Sequence, residues 1–276
     1  MTPAVALTLI VFVGTMVWTV SLSFTSSRAL PIGHWVGGTQ YVRLWHNARW
    51  IASVENLAAY VLAYTLLSLV VGVALAVLLD RYARLEDVWR TIFFYPYATS
   101  MIVAGLVWQW LLNPSVGLQS VLAGFGLPGS EIAWLASPQL AIYAVALAGA
   151  WQSAGLVMVI VLAALKGIDP EIHRAAALDG IPVWRVYVSL LLPQVRGALI
   201  TATLLLLMSA AKVYDLVVAM TNGGPGTATE LPAKFVMAYL FVRQNVGLAS
   251  AAATTLLLTV AAVLAVGWAA RRYAKR

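Results

Sequence analysis

Cysteine is absent from this 276-residue sequence, and charged residues are scarce. Without cysteine there can be no disulfide bonds and no thiolate metal sites. The three histidines, His34, His46 and His173, do not have the spacing of metal ligands, so we expect them at the surface and predict no metal site. Charged residues make up 10% of the chain and hydrophobic residues 62%, which excludes a soluble globular domain.

Several motifs that carry chemistry are also missing. The glycine-rich stretch at 220–227 is not followed by Gly-Lys-Ser/Thr, and no such phosphate-binding motif occurs elsewhere in the sequence. There is no nucleophile–base or metal constellation of the kind that an intramembrane enzyme needs. The net charge of +7 is not concentrated in a basic patch with interleaved aromatic residues, so no nucleic-acid partner is predicted.

Long apolar runs are the dominant feature of the sequence. About 20 apolar residues cross the hydrocarbon core of a bilayer, and six such runs are present, at 4–23, 56–79, 91–112, 140–165, 197–220 and 247–270. We therefore predict an all-α polytopic membrane protein with six transmembrane helices, in which residues 1–276 form a single domain. The first run has no basic segment before it and is long for a signal peptide, so we expect it to be retained as a span.

Basic residues indicate the orientation of these spans. Five lie beside one set of span ends, whereas eleven lie beside the other. The larger group is Arg81, Arg84, Arg90, Lys166, Arg174, Arg185, Arg196, Arg271, Arg272, Lys275 and Arg276. By the positive-inside rule, both termini and the segment between the fourth and fifth runs face the cytoplasm.

This segment between the fourth and fifth runs, Gly167–Pro193, is predicted to fold as helix, break, helix. Asp169 can cap the first turn, Pro170 suits the first helical position, and Glu171 opposes the positive end of the helix dipole. Gly180 is expected to end this helix, because glycine takes a left-handed C-terminal conformation without steric cost. Composition alone would equally allow an amphipathic linker lying in the lipid headgroups.

The second half of the segment is predicted to form another short helix. Pro182 suits its start, and it would run toward Leu192 and Pro193. Between the caps, residues 175–178 form a surface rich in small side chains that could pack closely against another protein. A helix of this kind can lie flat beneath a membrane.

The same segment resembles the EAA loop of binding-protein-dependent ABC permeases, in which Glu-Ala-Ala, Asp-Gly and Leu-Pro recur in this order. The matching residues are Ala175, Ala176, Asp179, Gly180, Leu192 and Pro193. Arg174 stands where the family usually has Glu, so the role of that carboxylate is not carried over. The resemblance implies that the loop inserts into a groove on an ATP-hydrolysing subunit. The ATPase-coupling residues would then be the six matches together with Glu171 and Arg174.

Other stretches resemble sugar permeases of this family. They are SFTSS at 23–27, WVGGTQYVRLW at 35–45, AKVYDLVVAMTNGGPG at 211–226 and ELPAKFVMAYLF at 230–241. The last two are similar to glucose and α-glucoside ABC permeases. The resemblance implies a type I ABC importer permease in a bacterial inner membrane, for a sugar of the glucose, mannose, trehalose or α-glucoside class.

The resemblance also implies a set of partners. These are a second permease subunit, two ATPase subunits that bind ATP and Mg, and an extracytoplasmic sugar-binding protein. Catalysis would lie outside this chain, which would itself hold no cofactor. A proton- or sodium-coupled secondary transporter is the alternative, because it too would place charged residues within the membrane.

Polar and aromatic residues within the apolar runs are candidates for the sugar path. Aromatic rings stack on sugar C–H faces and amides bind hydroxyl groups, which favours Trp110, Trp151 and Gln152. As the alternative, a tryptophan near a span end can belong to the interfacial belt, and a glutamine can bond a neighbouring helix.

The fifth run contains two charges, Lys212 and Asp215, each costing roughly 2.5–3.5 kcal/mol at the bilayer centre. They are predicted to face protein or water, either as a structural ion pair on one helix face or as part of the path. Tyr214 and Asn222 would add polar groups to such a path.

Overall fold

Helices make up most of the part of the chain that the computed structural model describes, residues 2–82, 85–126 and 132–274. They are α1 (Thr2–Leu22), α2 (Thr39–Trp45), α3 (Ala48–Tyr82), α4 (Glu86–Ala98), α5 (Met101–Leu111), α6 (Leu118–Gly124), α7 (Ala141–Lys166), α8 (Pro170–Leu178), α9 (Val183–Gln194), α10 (Arg196–Ala211), α11 (Asp215–Met220), α12 (Pro232–Val242) and α13 (Val246–Ala274). Within the described ranges, the one extended pairing is an isolated bridge between Thr25 and Trp35. The predicted all-α class is confirmed.

The apolar helices match most of the predicted spans. Among the described residues, α3, α7 and α13 each contain a stretch long and apolar enough to cross a bilayer. Two bent pairs qualify when each pair is counted as one span, α4 with α5 and α9 with α10, which gives up to five. In α1, the stretch with described side chains, Leu7–Leu22, is too short to be counted as a span, so the count of six stays a prediction. Arg84, Lys275 and Arg276 lie outside the described residues.

The helix α7 is the centre of the packing. Most of its side chains are buried, and α3, α4 and α10 pack around it. Small residues allow the close approaches: a Cβ atom on Gly72 of α3 would lie 2.5 Å from the Cβ atom of Val157, and one on Gly155 would overlap the Phe93 carbonyl of α4. Lipid tails are as apolar as these side chains, so close packing and hydrogen bonds hold such helices together.

The third span is broken near its proline. Pro96 lies within α4, which ends at Ala98, and α5 starts at Met101 after a bend of 95°. A proline lacks an N–H and cannot continue the regular bonding of a helix. The break leaves the Thr99 carbonyl free to bond outside its own helix, and α7 supplies the donor described below.

The fifth span is also broken, which corrects one prediction. Residues 212–214 separate α10 from α11, so Lys212 and Asp215 do not share one helix face. Both are exposed, and no ion pair joins them in the described chain. The structural ion pair, one of the two alternatives drawn from the sequence, is therefore wrong. The i, i+3 rule requires a continuous helix, and the helix ends at Ala211.

Candidate functional site

The first half of the 167–193 segment has the predicted local structure. The helix α8 begins at Pro170, and the Asp169 carboxylate accepts a hydrogen bond from the backbone N–H of Glu171 at 2.9 Å. Gly180 follows the helix with φ +66°, a left-handed conformation in which side chains with a Cβ atom are strained. Helix, break and helix are thus confirmed, and the break is set by the backbone of one glycine.

The second half forms a longer helix than predicted. Pro182 is the residue before α9, and the helix continues past Pro193 to Gln194 before it bends by 74° into α10. Residues Val186–Leu191 within α9 have π-helical bonding, and the side chains of Val186, Tyr187 and Leu191 in this turn are buried. The α9 helix is therefore anchored in the core of the protein.

The predicted coupling residues divide into exposed and anchoring positions. Ala176 is 4% exposed, and half-buried Leu192 packs against the core. Exposed positions are Glu171, Arg174, Asp179, Gly180 and Pro193. Ala175 belongs to α8, but its side chain lies outside the described part of the structure. One face of the loop is therefore fixed to the protein, while five of the eight predicted positions remain accessible.

A polar cluster beside this loop was not predicted from the sequence. The Tyr187 hydroxyl donates a hydrogen bond of 2.6 Å to Asp80 Oδ2 at the end of α3. Lys166 Nζ, at the end of α7, lies 3.5 Å from Asp80 Oδ1 and 2.8 Å from Glu86 Oε2 at the start of α4. Tyr187 and Asp80 are 107 positions apart, so no local spacing could have indicated the contact.

The candidate path residues on α7 lie on two different faces. Trp151 is 42% exposed and forms a strip with Tyr143 and Leu147, which are also exposed and spaced four residues apart. This α7 strip interrupts an otherwise buried helix. Tyr143 was missed in the sequence, although its i, i+4, i+8 spacing with Leu147 and Trp151 was a usable signal.

Gln152 points away from the α7 strip. It is 3% exposed, and its Nε2 donates a hydrogen bond of 2.9 Å to the Thr99 carbonyl oxygen at the break between α4 and α5. In this structure Gln152 is thus a contact between helices, which was the alternative drawn from the sequence. It compensates the backbone acceptor that the Pro96 break leaves free.

The other candidate path residues cluster around the two broken spans. Trp110 is 76% exposed at the end of α5, and the Trp108 ring of the same helix meets the Trp151 ring edge-on with centroids 6.0 Å apart. The helix α11, which begins at Asp215, packs against both α5 and α7. Tyr214 is half-buried before α11, and Asn222, with φ +48°, is exposed just after it.

At the opposite end of the helices from the 167–193 segment, a buried carboxylate holds the glycine-rich loop in place. Glu230 is 1% exposed, and its Oε2 forms an ion pair with Arg49 Nε. Asn56 Nδ2 donates to the carbonyls of Thr227 at 2.8 Å and Glu230 at 3.0 Å. Burial lowers the pKa of nearby Lys234, although Glu230 opposes that shift. Sequence spacing gave no signal for this arrangement.

Potential metal ligands do not converge anywhere in the described ranges: no group of three or more His, Asp or Glu residues there could hold a metal ion. Three acidic side chains at the ends of the helices are instead matched by cations, Glu230 by Arg49, and Asp80 and Glu86 by Lys166. These carboxylates therefore contribute to structure.

Comparisons with known proteins agree with one another. A family model described as "Binding-protein-dependent transport system inner membrane component" matches residues 68–275. A probable ABC transporter permease of Pyrococcus horikoshii is 34% identical over 251 residues, which cover 90% of this chain and 86% of that protein. A xylose/arabinose import permease of Haloferax volcanii is 29% identical over 266 residues, covering 95% and 83%.

The fold is similar to that of a chain in a solved bacterial ABC transporter that imports the acidic polysaccharide alginate. The TM-score is 0.82, the sequence identity is 17%, and the match covers 99% of this chain and 93% of the other. At this identity the match concerns the fold alone. The overall arrangement of these helices therefore also occurs in a solved transporter.

Proposed function

We propose a specific role for this chain within its family. The chain belongs to the binding-protein-dependent transport system inner membrane components, and it is a permease subunit of an ABC sugar importer. It is a transport subunit, and ATP hydrolysis resides in a separate subunit. The sugar we propose is of the glucose, mannose, trehalose or α-glucoside class. The stretches 211–226 and 230–241 support this class by resemblance, whereas the relatives include a permease for pentoses as well.

The observation that carries the proposal is the structure of the loop 167–193, in which α8 exposes polar side chains while buried side chains anchor α9 in the protein. Five of its eight predicted coupling residues are exposed, and the left-handed backbone of Gly180 sets the angle between α8 and α9. The sequence contains no phosphate-binding motif of its own. A chain of this kind needs an ATPase subunit, and α8 is the element available to contact it.

We propose that this permease pairs with a second permease subunit and with two ATPase subunits, which bind ATP and Mg. An extracytoplasmic sugar-binding protein would deliver the substrate. The complex would lie in a bacterial inner membrane with both termini of this chain in the cytoplasm, as the distribution of basic residues favours. Residues 1–276 would act as one transmembrane domain.

The surface that we propose for the sugar path combines the α7 strip with the break before α11. Trp151 offers a ring face, while exposed Lys212 and Asp215 avoid the cost of facing lipid if they line a water-filled cavity. Trp110, Tyr214 and Asn222 extend this surface. Transport requires weak contacts that release the sugar, and exposed side chains on one half of a two-permease path suit that need.

The mechanism that we propose is alternating access. When the ATPase subunits close on ATP, α8 is displaced, and the helices move as rigid bodies so that the path opens outward and then inward. The close contacts at Gly72 and Gly155 make α3, α4 and α7 one unit, because interlocked backbones cannot slide without losing packing. The breaks at 99–100 and 212–214 are the points where the remaining segments can change direction.

The α7 strip leads to a prediction that separates the path from the packing. In the assembled importer, Trp151→Ala is expected to lower the rate of sugar uptake roughly tenfold, a loss of about 1.4 kcal/mol of transition-state stabilisation. The melting temperature should fall only modestly, through loss of the ring contact with Trp108. Its neighbour Gln152→Met is the matched control: it should lower the melting temperature, because the Thr99 carbonyl loses its donor at a cost of about 1–3 kcal/mol. Equal effects of both variants on uptake and melting would contradict this assignment.

The importer itself is tested by purification and reconstitution. The chain should co-purify with a second permease and two ATPase subunits, and uptake of radiolabelled glucose, trehalose or maltose into liposomes should require ATP and the binding protein. The family and the fold give no support to an ion-coupled secondary transporter. Robust uptake by this chain alone, driven by a proton or sodium gradient, would overturn the proposed function.

A further inference from the structure

The contact between Tyr187 and Asp80 lies where the 167–193 loop meets the ends of the long helices. Tyr187 is 5% exposed, and the Asp80 side chain is 10% exposed. The 2.6 Å hydrogen bond between them joins a hydroxyl to a carboxylate away from most of the surrounding water. Hydrogen bonds to an ionised acceptor are shorter and stronger than neutral ones. The bond therefore holds α9 firmly to the end of α3.

The Asp80 carboxylate and its neighbours connect further helices at the same point. Lys166 Nζ lies between Asp80 Oδ1 at 3.5 Å and Glu86 Oε2 at 2.8 Å, so one ammonium group at the end of α7 is shared by α3 and α4. Four helices, α3, α4, α7 and α9, thus meet through the four side chains of Tyr187, Asp80, Lys166 and Glu86. We call these four residues the joint.

The helix α8 does not take part in the joint directly. A cavity of about 540 Å³ is lined by Arg174 and Ala176 of α8 on one side and by Asp80 and Lys166 on the other. A polar connection between the loop and those helices runs through α9, whose π-helical turn places Tyr187 at Asp80. Such turns occur frequently at functional sites.

We infer that the joint is the positioning contact through which displacement of α8 is passed, by way of α9, to α3, α4 and α7. This inference rests on the proposed function, since it assigns the joint a part in coupling ATP hydrolysis to sugar transport. Tyr187 and Asp80 are positioning residues that touch neither sugar nor ATP.

The test is the number of ATP molecules hydrolysed per sugar transported by the complete importer in liposomes. Tyr187→Phe removes one hydroxyl and keeps the ring that packs in the core, so the complex should assemble. We expect the ATP-to-sugar ratio to rise about threefold or more. Asp80→Asn should raise it at least as much, because it weakens both the hydrogen bond from Tyr187 and the ion pair with Lys166. The double variant should be close to Asp80→Asn alone, because the two substitutions act on the same Tyr187–Asp80 bond. Tyr95→Phe, at an exposed tyrosine of α4, removes the same hydroxyl and should leave the ratio unchanged.

The outcomes separate the joint from the proposed function. If the unaltered importer takes up sugar with ATP and Tyr187→Phe shows the same ATP-to-sugar ratio, the joint has no part in coupling and the inference fails. A lower melting temperature at an unchanged ratio would show a purely structural bond and would also overturn it. Should Asp80→Asn fail to accumulate, Tyr187→Phe alone decides. Absence of ATP-dependent uptake by the unaltered complex would instead refute the proposed function.

Discussion

Gly180→Val is expected to abolish most of the sugar-stimulated ATP hydrolysis of the assembled importer. Gly180 has φ +66°, and no described heavy atom lies within 4 Å of the place where its Cβ would stand. Crowding by neighbours is therefore not the obstacle. The obstacle is the left-handed backbone, which costs an L-residue roughly 1–2 kcal/mol and a β-branched residue more.

The strain would be relieved by a change in the angle between α8 and α9. Glu171, Arg174 and Asp179 would then approach the ATPase subunit in the wrong direction. A misplacement worth about 1.4 kcal/mol in the coupled step already lowers its rate tenfold, so we expect a loss of about tenfold or more. The measurement is ATP hydrolysis by the purified importer with and without sugar-loaded binding protein.

Two controls isolate the backbone effect. Gly197→Val makes the same substitution at a helical glycine of α10 where φ is not positive and the space for a Cβ atom is equally free of described neighbours, so stimulation should persist. Gly180→Asn should retain much of the stimulation, because asparagine tolerates the left-handed region better than other residues with a Cβ. Full stimulation in Gly180→Val would exclude the proposed docking geometry.

Arg49→Met is expected to have the largest effect on stability. The Glu230 side chain is 1% exposed, and its Oε1 has no hydrogen-bond partner among the described residues, so the ion pair with Arg49 is the main compensation for a buried charge. Removing one partner of a buried pair costs about 3–5 kcal/mol. Lys234 lies close enough to Glu230 to offset part of this cost, which places the expectation near the lower end of the range.

A second substitution tests whether the loss of stability comes from leaving the Glu230 charge buried without its partner. Arg49→Met combined with Glu230→Gln leaves no uncompensated charge and should recover most of the melting temperature lost by the single variant. Arg43→Met, at an exposed position of α2, should stay within about 0.5 kcal/mol of the unaltered protein. Fluorescence-detected thermal unfolding of the detergent-solubilised protein measures all three. A single variant as stable as the double variant would show that Glu230 is not held by Arg49.

Predictions from the sequence succeeded where the determining groups are close neighbours in the chain. The Asp169 cap, the start of α8 at Pro170 and the left-handed Gly180 all depend on a few consecutive residues. Apolar runs similarly predicted the long helices α3, α7 and α13, since burial in lipid requires only length and composition. The family followed from short motifs of the same local kind.

The contacts that were predicted wrongly or missed from the sequence depend on how segments distant in the chain cross in the fold. Lys212 and Asp215 do not form the ion pair that was one alternative, because α10 ends at Ala211, before both of them. Gln152 donates instead to a backbone carbonyl at the break of a neighbouring span. The pairs Arg49–Glu230 and Asp80–Tyr187 join residues far apart in the chain. No periodicity links such positions, so pattern alone could not find them.

The sequence by itself therefore determined the helical class, the membrane setting, the capped loop and the family, because each rests on local backbone preferences, apolar length or a short motif. Only the tertiary structure decided which polar groups meet, since that depends on crossing angles and on where the third and fifth spans break. In a setting with little water, each freed carbonyl or buried carboxylate must find a partner from another helix. Those long-range partnerships, at Thr99, Glu230 and Asp80, hold the permease together and connect the 167–193 loop to its spans.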